Sequence, residues 1–189
     1  MKIKKSNLLF IIFMLFFSIY TFRNYIVAFY YTQFNKNKEI EILEIDLNQQ
    51  KTYQDILKIE KFKDRPSFIY FNTRFSFERL EKDAPILRNI YSEYGEKLNL
   101  IFIANGLDDE PEEEKKWIIK INKFELKGIH ISLPDNYKDF DTYFKESNNS
   151  NGLMTTHIPH YLLANKNGII TDTIFKGTID MNKIKIMTE

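Results

Sequence analysis

The chain has 189 residues, room for one ordinary domain plus a targeting segment. Its 27 Lys+Arg against 26 Asp+Glu leave a formal charge of +1, which gives no electrostatic case for a nucleic-acid partner. It has no cysteine, so disulfides, thiolate metal sites, thiol nucleophiles and lipid attachment through cysteine are all excluded.

Residues Asn7 to Phe22 carry no charge and follow Lys2, Lys4 and Lys5. Positive charge ahead of an apolar run orients the N-terminus toward the cytoplasm and sends the remainder outward. The run is short, since a span needs roughly 20 residues. Arg23 and Asn24 interrupt it, and apolar character resumes from Tyr25 to Phe29. A snorkelling Arg23, with Tyr25, Tyr30 and Tyr31 at headgroup level, predicts one transmembrane helix over residues 7–31 behind a cytoplasmic tail of residues 1–6. A cleaved signal peptide is the competing reading. It wants small residues near the end of the run, where this chain has Ser18-Ile19-Tyr20-Thr21-Phe22. A soluble protein with a buried N-terminal helix is the third reading; either of the first two puts the domain outside the cytoplasmic membrane, toward the periplasm or cell exterior.

Residues 32–51 read as a polar tether carrying a strand at Glu39 to Leu47, where charge and Ile/Leu alternate. The domain then occupies residues 52–189. Thr52 with Asp55 forms a capping box that opens a short helix. Ser67 to Phe71 is an unbroken apolar run, suited to a strand buried on both faces. Leu80, Ala84, Leu87, Ile90 and Tyr91 give a helix from Phe77 to Tyr94 its apolar stripe, and Gly95 is placed to end it. Leu98 to Ala104 is a second central strand. Asp108 to Glu114, with Pro111, opens a helix whose apolar face is Trp117, Ile118, Ile121 and Phe124. Gly128 is expected to stop it, ahead of a strand at Ile129 to Leu133. Asp139 to Glu146 reads as a short helix and Ser147 to Gly152 as a loop. His160 to Ala164 and Ile169 to Phe175 form a hairpin around Asn167-Gly168, and a last helical turn starts near Asp180. The order predicts a mixed α/β sheet, parallel where helices cross over and antiparallel at the last pair, with helices on both faces.

This order, with Ile158-Pro159 just ahead of a hairpin, resembles the thioredoxin fold. It is most similar to the membrane-anchored TlpA-type thiol-disulfide oxidoreductases. Ile158 to Ile170 matches that family's proline-hairpin stretch, with Asn165 in place of its Asp. Gly177 matches the glycine closing the following strand. Phe68 to Pro85 resembles the strand, active-site turn and helix, with Asp83 and Pro85 at the family's acidic and proline positions. The resemblance covers about residues 56–178 and implies that Pro159 is a cis proline facing the turn. It also implies a Cys-x-x-Cys pair at the helix start, where the helix N-terminus would lower a thiol pKa. Counted from the strand, that place holds Ser76-Phe77-Glu78-Arg79. Counted back from Pro85, it holds Phe77-Glu78-Arg79-Leu80. Neither register contains sulfur. Ser76 is expected to cap the helix, not to act as a nucleophile, because a hydroxyl needs a dedicated base.

The degenerate turn is therefore Ser76, Phe77, Glu78, Arg79 and Leu80, with no catalytic residue expected. Phe75, Phe77, His157, Ile158 and Pro159 are the candidate lining of a groove for an extended peptide of an extracytoplasmic partner. Phe75 and Phe77 read equally as buried core. His157 and His160 lie three apart on an extended segment, on opposite faces, which disfavours a shared metal. Glu78, Glu81 and Asp83 with Arg74 and Arg79 read as a solvated helix face. The Asp108 to Glu114 run lacks a calcium-loop pattern. No cofactor or metal is expected. The function expected is a redox-inactive, membrane-tethered binding or assembly module. The alternative is an accessory in thiol-disulfide exchange or cytochrome maturation whose partner supplies the cysteines.

Overall fold

The computed structural model describes residues 5–33, 37–73, 77–107, 111–134, 137, 145–148, 154–157, 161–174 and 178–189. The domain is built on a six-stranded sheet: β1 Ile40–Ile42, β2 Ser67–Thr73, β3 Asn99–Asn105, β4 Gly128–Leu133, β7 Tyr161–Ala164 and β8 Ile170–Ile174, in the order β1-β4-β3-β2-β7-β8. The pairs β1–β4, β4–β3 and β3–β2 are parallel, while β2–β7 and β7–β8 are antiparallel. Helices α4 (Phe77–Tyr94) and α5 (Pro111–Lys123) make successive crossovers toward the same edge. Right-handed crossovers in one direction place both helices on one face.

Strand alternation divides the core. Phe68, Tyr70, Leu100, Phe102, Ala104, Tyr161 and Leu163 point to α4 and α5, meeting Leu80, Ala84, Leu87, Ile90, Trp117 and Ile121. Ile69, Phe71, Ile101, Ile103, Ile131, Leu133 and Leu162 point the other way, onto Tyr53, Ile56 and Leu57 of α3 (Tyr53–Leu57) and onto Phe62. The sheet buries both faces, which is why its central strands read as continuous apolar runs. Helix α6 (Met181–Thr188) adds Ile184 to the first core and is two turns long, more than the single turn expected. Asp180 caps it, its Oδ1 accepting from the backbone N–H groups of Asn182 and Lys183.

Local sequence chemistry holds where it was read. The Thr52/Asp55 capping box is complete in both directions. Pro111 opens α5 at its first position, with Glu112, Glu113 and Glu114 in the first turn. The Asn165 side-chain carbonyl accepts from the N–H groups of Asn167 and Ile169, both at 3.0 Å, and Gly168 adopts φ 71°. Asn165 thus holds the hairpin turn with the same kind of oxygen that an Asp would present.

Several expectations fail. The single 7–31 helix is two helices, α1 (Lys5–Thr21) and α2 (Arg23–Gln33), bent by 57°. No single helix among the described residues is long and apolar enough to cross a membrane, though the bent pair passes that test together. Thr21 Oγ1 donates to the Phe17 carbonyl at 2.8 Å at the bend, a back-bond that disposes helices to bend. Thr32 and Gln33, expected in the tether, belong to α2. The Glu39 to Leu47 strand shrinks to Ile40–Ile42, which pairs with Gly128 to His130 of β4. The alternation persists beyond it, with Leu43 and Ile45 still packed on the second core. Gly128 does not stop α5. Glu125 does, at φ 51°, with Leu126 N–H on the Ile121 carbonyl and Glu125 N–H on that of Asn122, a Schellman closure. Gly128 instead starts β4. Lys145 and Glu146 are not helical, and Ser147 and Asn148 are not loop. They form β5 (Lys145–Asn148), paired antiparallel with β6 (Met154–His157). Cross-strand partners around an intervening Asn151-Gly152 override the local helical reading. The remainder of that predicted helix lies outside the described residues.

Candidate functional site

The turn joining β2 to α4 lies at the C-terminal end of the parallel strands, where sheets of this kind present their sites. Thr73, the last residue of β2, stands beside Asn105, the last of β3. Residues 74–76 lie outside the described set, so Arg74, Phe75 and Ser76 receive no structural account. Phe77 is the first residue of α4. Glu78 is exposed and Leu80 is buried in the core under the helix. Ile158, Pro159 and His160, with the cis-proline expectation, also lie outside the described residues, as does Gly177. His157 closes β6, its backbone opposite Lys145.

The structure does bring together a network beside this turn. Tyr70 of β2 donates its hydroxyl to Asp83 Oδ2 at 2.7 Å. Arg79 donates Nε to the same oxygen at 3.3 Å, one helical turn back, and its guanidinium lies 5.9 Å from the Tyr70 ring centroid. Burial first, and the Asp83 hydrogen bond second, push the Tyr70 hydroxyl well above the ordinary phenol range. Tyr70 therefore stays protonated and serves as a donor. Arg79 and Asp83 are each about one-third exposed, so the reading of this cluster as a wholly solvated face is corrected for those two residues. Glu78 and Glu81 remain exposed. Pro85 sits inside α4, where it removes one backbone donor.

Beneath the strand ends, the Asn105 side-chain amide donates to the Tyr53 hydroxyl at 3.2 Å, both groups buried. The Tyr53 ring meets Phe71 edge-on and Tyr137 at a tilt. Tyr137 donates to the Gln50 carbonyl at 3.0 Å. This cluster fixes the ends of β2 and β3 against α3. Sequence reading missed it, since Tyr53 and Asn105 are 52 residues apart. An Asn-Gly step closing an apolar strand was the one local signal available.

His130 is the histidine that the structure makes remarkable on physical grounds: it is fully buried on β4. Its ring stacks on Phe102 at 4.5 Å and 5°, and meets Trp117 edge-on at 5.9 Å. Nε2 lies 2.7 Å from the Leu126 carbonyl, while Nδ1 has no hydrogen-bond partner. Burial brings its pKa down to about 4, the Leu126 bond opposing the shift. It is a neutral core residue that donates through Nε2–H. Among the described residues no group of three or more His, Asp or Glu side chains is placed to hold a metal ion.

Two cavities lie away from the turn. One of about 810 Å³ is lined by Arg88, Tyr91, Gly95, Lys97 and Lys127, at the opposite end of the sheet. Another of about 610 Å³ lies between the end of α2 and the edge strand β1, lined by Tyr31, Lys38, Ile40, Ile42 and Asn122.

No protein-family model matches the chain, and no curated protein matches it. Among solved structures it is similar to the thioredoxin domain of a thiol-disulfide oxidoreductase from Bacteroides vulgatus, at 16% identity and TM-score 0.49, covering 69% of this chain and 84% of that one. It is also similar to a thiol:disulfide interchange protein of the thioredoxin family from Chlorobium tepidum, at 13% identity and TM-score 0.46, covering 67% and 81%. A putative thiol-disulfide oxidoreductase from Bacteroides vulgatus gives 17% identity and TM-score 0.46, covering 67% and 74%. The topology stands on its own: parallel crossover strands, a following antiparallel hairpin added beside β2, and helices on both faces. The chain has a thioredoxin-like fold, and it carries no cysteine at the turn where the resemblance places a redox pair.

Proposed function

We propose that this chain is a membrane-tethered, redox-inactive thioredoxin-like module that binds an extended segment of an extracytoplasmic partner. The observation carrying this reading is the retained scaffold around a turn without sulfur. Thiol-disulfide exchange begins with attack by a thiolate, and no residue of this chain supplies one. The β2–α4 end of the sheet is nevertheless braced by the Tyr70–Asp83–Arg79 network and by Asn105 and Tyr53. Phe75, Phe77, His157, Ile158 and Pro159, beside the degenerate turn, form the binding surface in this reading. Membrane attachment is supported by α1, whose residues from Leu9 to Thr21 are all exposed and almost all apolar. The lysines ahead of it favour a cytoplasmic N-terminus and an outward-facing domain.

The test is photo-crosslinking in native membranes with a benzophenone amino acid at Phe75 or Phe77, compared with the Phe77→Ala and His157→Ala variants. A defined crosslinked partner that both variants lose supports the proposal. A partner captured equally well by both variants sinks it. Disulfide reductase turnover by the purified chain would overturn the redox-inactive part. Turnover only in the presence of the captured partner would favour the accessory role, in which the partner supplies the cysteines.

A further inference from the structure

Helix α2 does not continue the direction of α1. It turns away by 57° and packs along α5. The two helices run side by side in the same direction. Near their starts, the Lys115 ammonium lies 2.7 Å from the Tyr25 ring centroid. Near their ends, Tyr31 and Asn122 line one groove. Asn24, Val27, Ala28 and Tyr31 recur at i, i+3, i+4 and i+7, and all four are half-buried or buried. Ala28 is only 5% exposed, a small residue at the seam that lets the helices approach closely. The Lys115 ammonium lies against the Tyr25 ring and pairs with Glu112 at 3.7 Å, a largely buried cation set between a carboxylate and an aromatic face.

The opposite side of α2 has different chemistry. Phe22, just ahead of it, and Ile26, Phe29 and Tyr30 are between 52% and 58% exposed, and they continue the exposed apolar surface of α1. Arg23 stands at the junction. An apolar, aromatic-rich stripe with a basic residue at its border is the composition that settles at the boundary between headgroups and acyl chains. If α1 stands near the membrane normal, the bend lays α2 closer to the membrane plane than to the normal.

We propose that α2 is a membrane-surface strap: its Ile26–Phe29–Tyr30 face seats in the phospholipid interface of the leaflet that α1 leaves, while its Val27–Ala28 face is clamped on α5. The inference rests on the anchored reading above and deepens it. The domain is then held against the bilayer in one orientation, not suspended on a flexible tether, with the α5 side of the sheet toward the membrane.

Because the chain has no cysteine, every introduced one is a unique labelling site. Leu15→Cys, Ile26→Cys and Ile186→Cys are each labelled with an environment-sensitive fluorophore. The full-length chain is then reconstituted into phosphatidylcholine–phosphatidylglycerol vesicles. Aqueous iodide and nitroxide lipids bearing the nitroxide at shallow or deep positions serve as quenchers. The Ile186 site, on exposed α6, reports water, and the Leu15 site reports the bilayer core. The Ile26 label is expected to be quenched best by the shallow nitroxide, with an iodide quenching constant several-fold below that at Ile186. Iodide access at Ile26 equal to that at Ile186, with Leu15 still lipid-quenched, leaves the anchor standing and overturns the strap. Deep-nitroxide quenching at Ile26 equal to that at Leu15 means a straight span, and also overturns it. Iodide access at Leu15 overturns the anchored reading itself. Ala28→Trp, which wedges the seam open, is expected to shift the Ile26 quenching pattern. An unchanged pattern overturns the clamp on α5.

Discussion

Lowering the pH from 7.5 to 5 should destabilise this domain through one residue. His130 is fully buried between Phe102 and Trp117, with Nε2–H committed to the Leu126 carbonyl and Nδ1 facing no donor. A proton added at Nδ1 would create a buried, unpaired charge. Burial holds its folded-state pKa down at about 4, against an ordinary value of 6.5. Between those values the unfolded chain binds the proton and the folded chain does not. Stability from this group is therefore complete above pH 6.5 and is lost as the pH falls toward 4. Linkage across that gap gives a loss of about 2 kcal/mol between pH 7.5 and 5. The assay is urea denaturation of the detergent-solubilised chain, followed by far-UV circular dichroism at several pH values. His130→Phe keeps an aromatic ring for the stack and removes the titration. It should be less stable at pH 7.5, since the Leu126 carbonyl loses its donor, by roughly 1–3 kcal/mol. Its stability should nevertheless be nearly flat from pH 7.5 to 5. His157→Gln should retain the wild-type slope. A slope that persists in His130→Phe, or a His130 ring resonance that titrates near 6.5, would refute the reasoning.

Gly128→Ala should cost about 2 kcal/mol or more in the same denaturation assay, because the residue sits at φ 134° and an added Cβ would lie 2.6 Å from the Leu100 carbonyl oxygen. Pro85→Ala should raise stability by about 1 kcal/mol or more, since it restores a backbone donor inside α4 at an exposed position. A loss there would mean that the proline ring makes contacts that outweigh its cost to the helix. Tyr70→Phe should cost about 1 kcal/mol by stripping Asp83 of its phenolic donor, and a cycle with Asp83→Asn should show non-additive losses. Additive losses would mean that the two side chains are not coupled. Thr52→Ala should cost about 1 kcal/mol through loss of the α3 cap, measured by the same denaturation.

The candidate site was only partly legible in the sequence. The position of the turn was, because an apolar strand followed by an amphipathic helix brackets residues 74–76 within a few turns of chain. Asp83 and Pro85 were noticed for their places in a pattern. The partnership of Asp83 with Tyr70 was not, since it joins a helix to a strand across the core interface. The burial of His130 is not legible in the sequence, because nothing local distinguishes it from His157 or His160. Its surroundings, Phe102 and Trp117, come from two other elements.

What the sequence by itself determined is local and chemical. Without cysteine the chain has no thiol to exchange. The Thr52/Asp55 box, the Asn165–Gly168 turn and the Pro111 helix start each depend on a few consecutive residues, and each formed as their side chains dictate. The tertiary structure decided whatever depends on partners distant in sequence. The alternating segment after Ile42 left the ladder and packs Leu43 and Ile45 on the second core instead. Lys145 to Asn148 became strand because Met154 to His157 pairs with it. One apolar N-terminal helix became two because the second half found α5 to pack on. Backbone propensities in these places differ by less than the gain from a packed face or a completed ladder, so the distant partner determines the outcome.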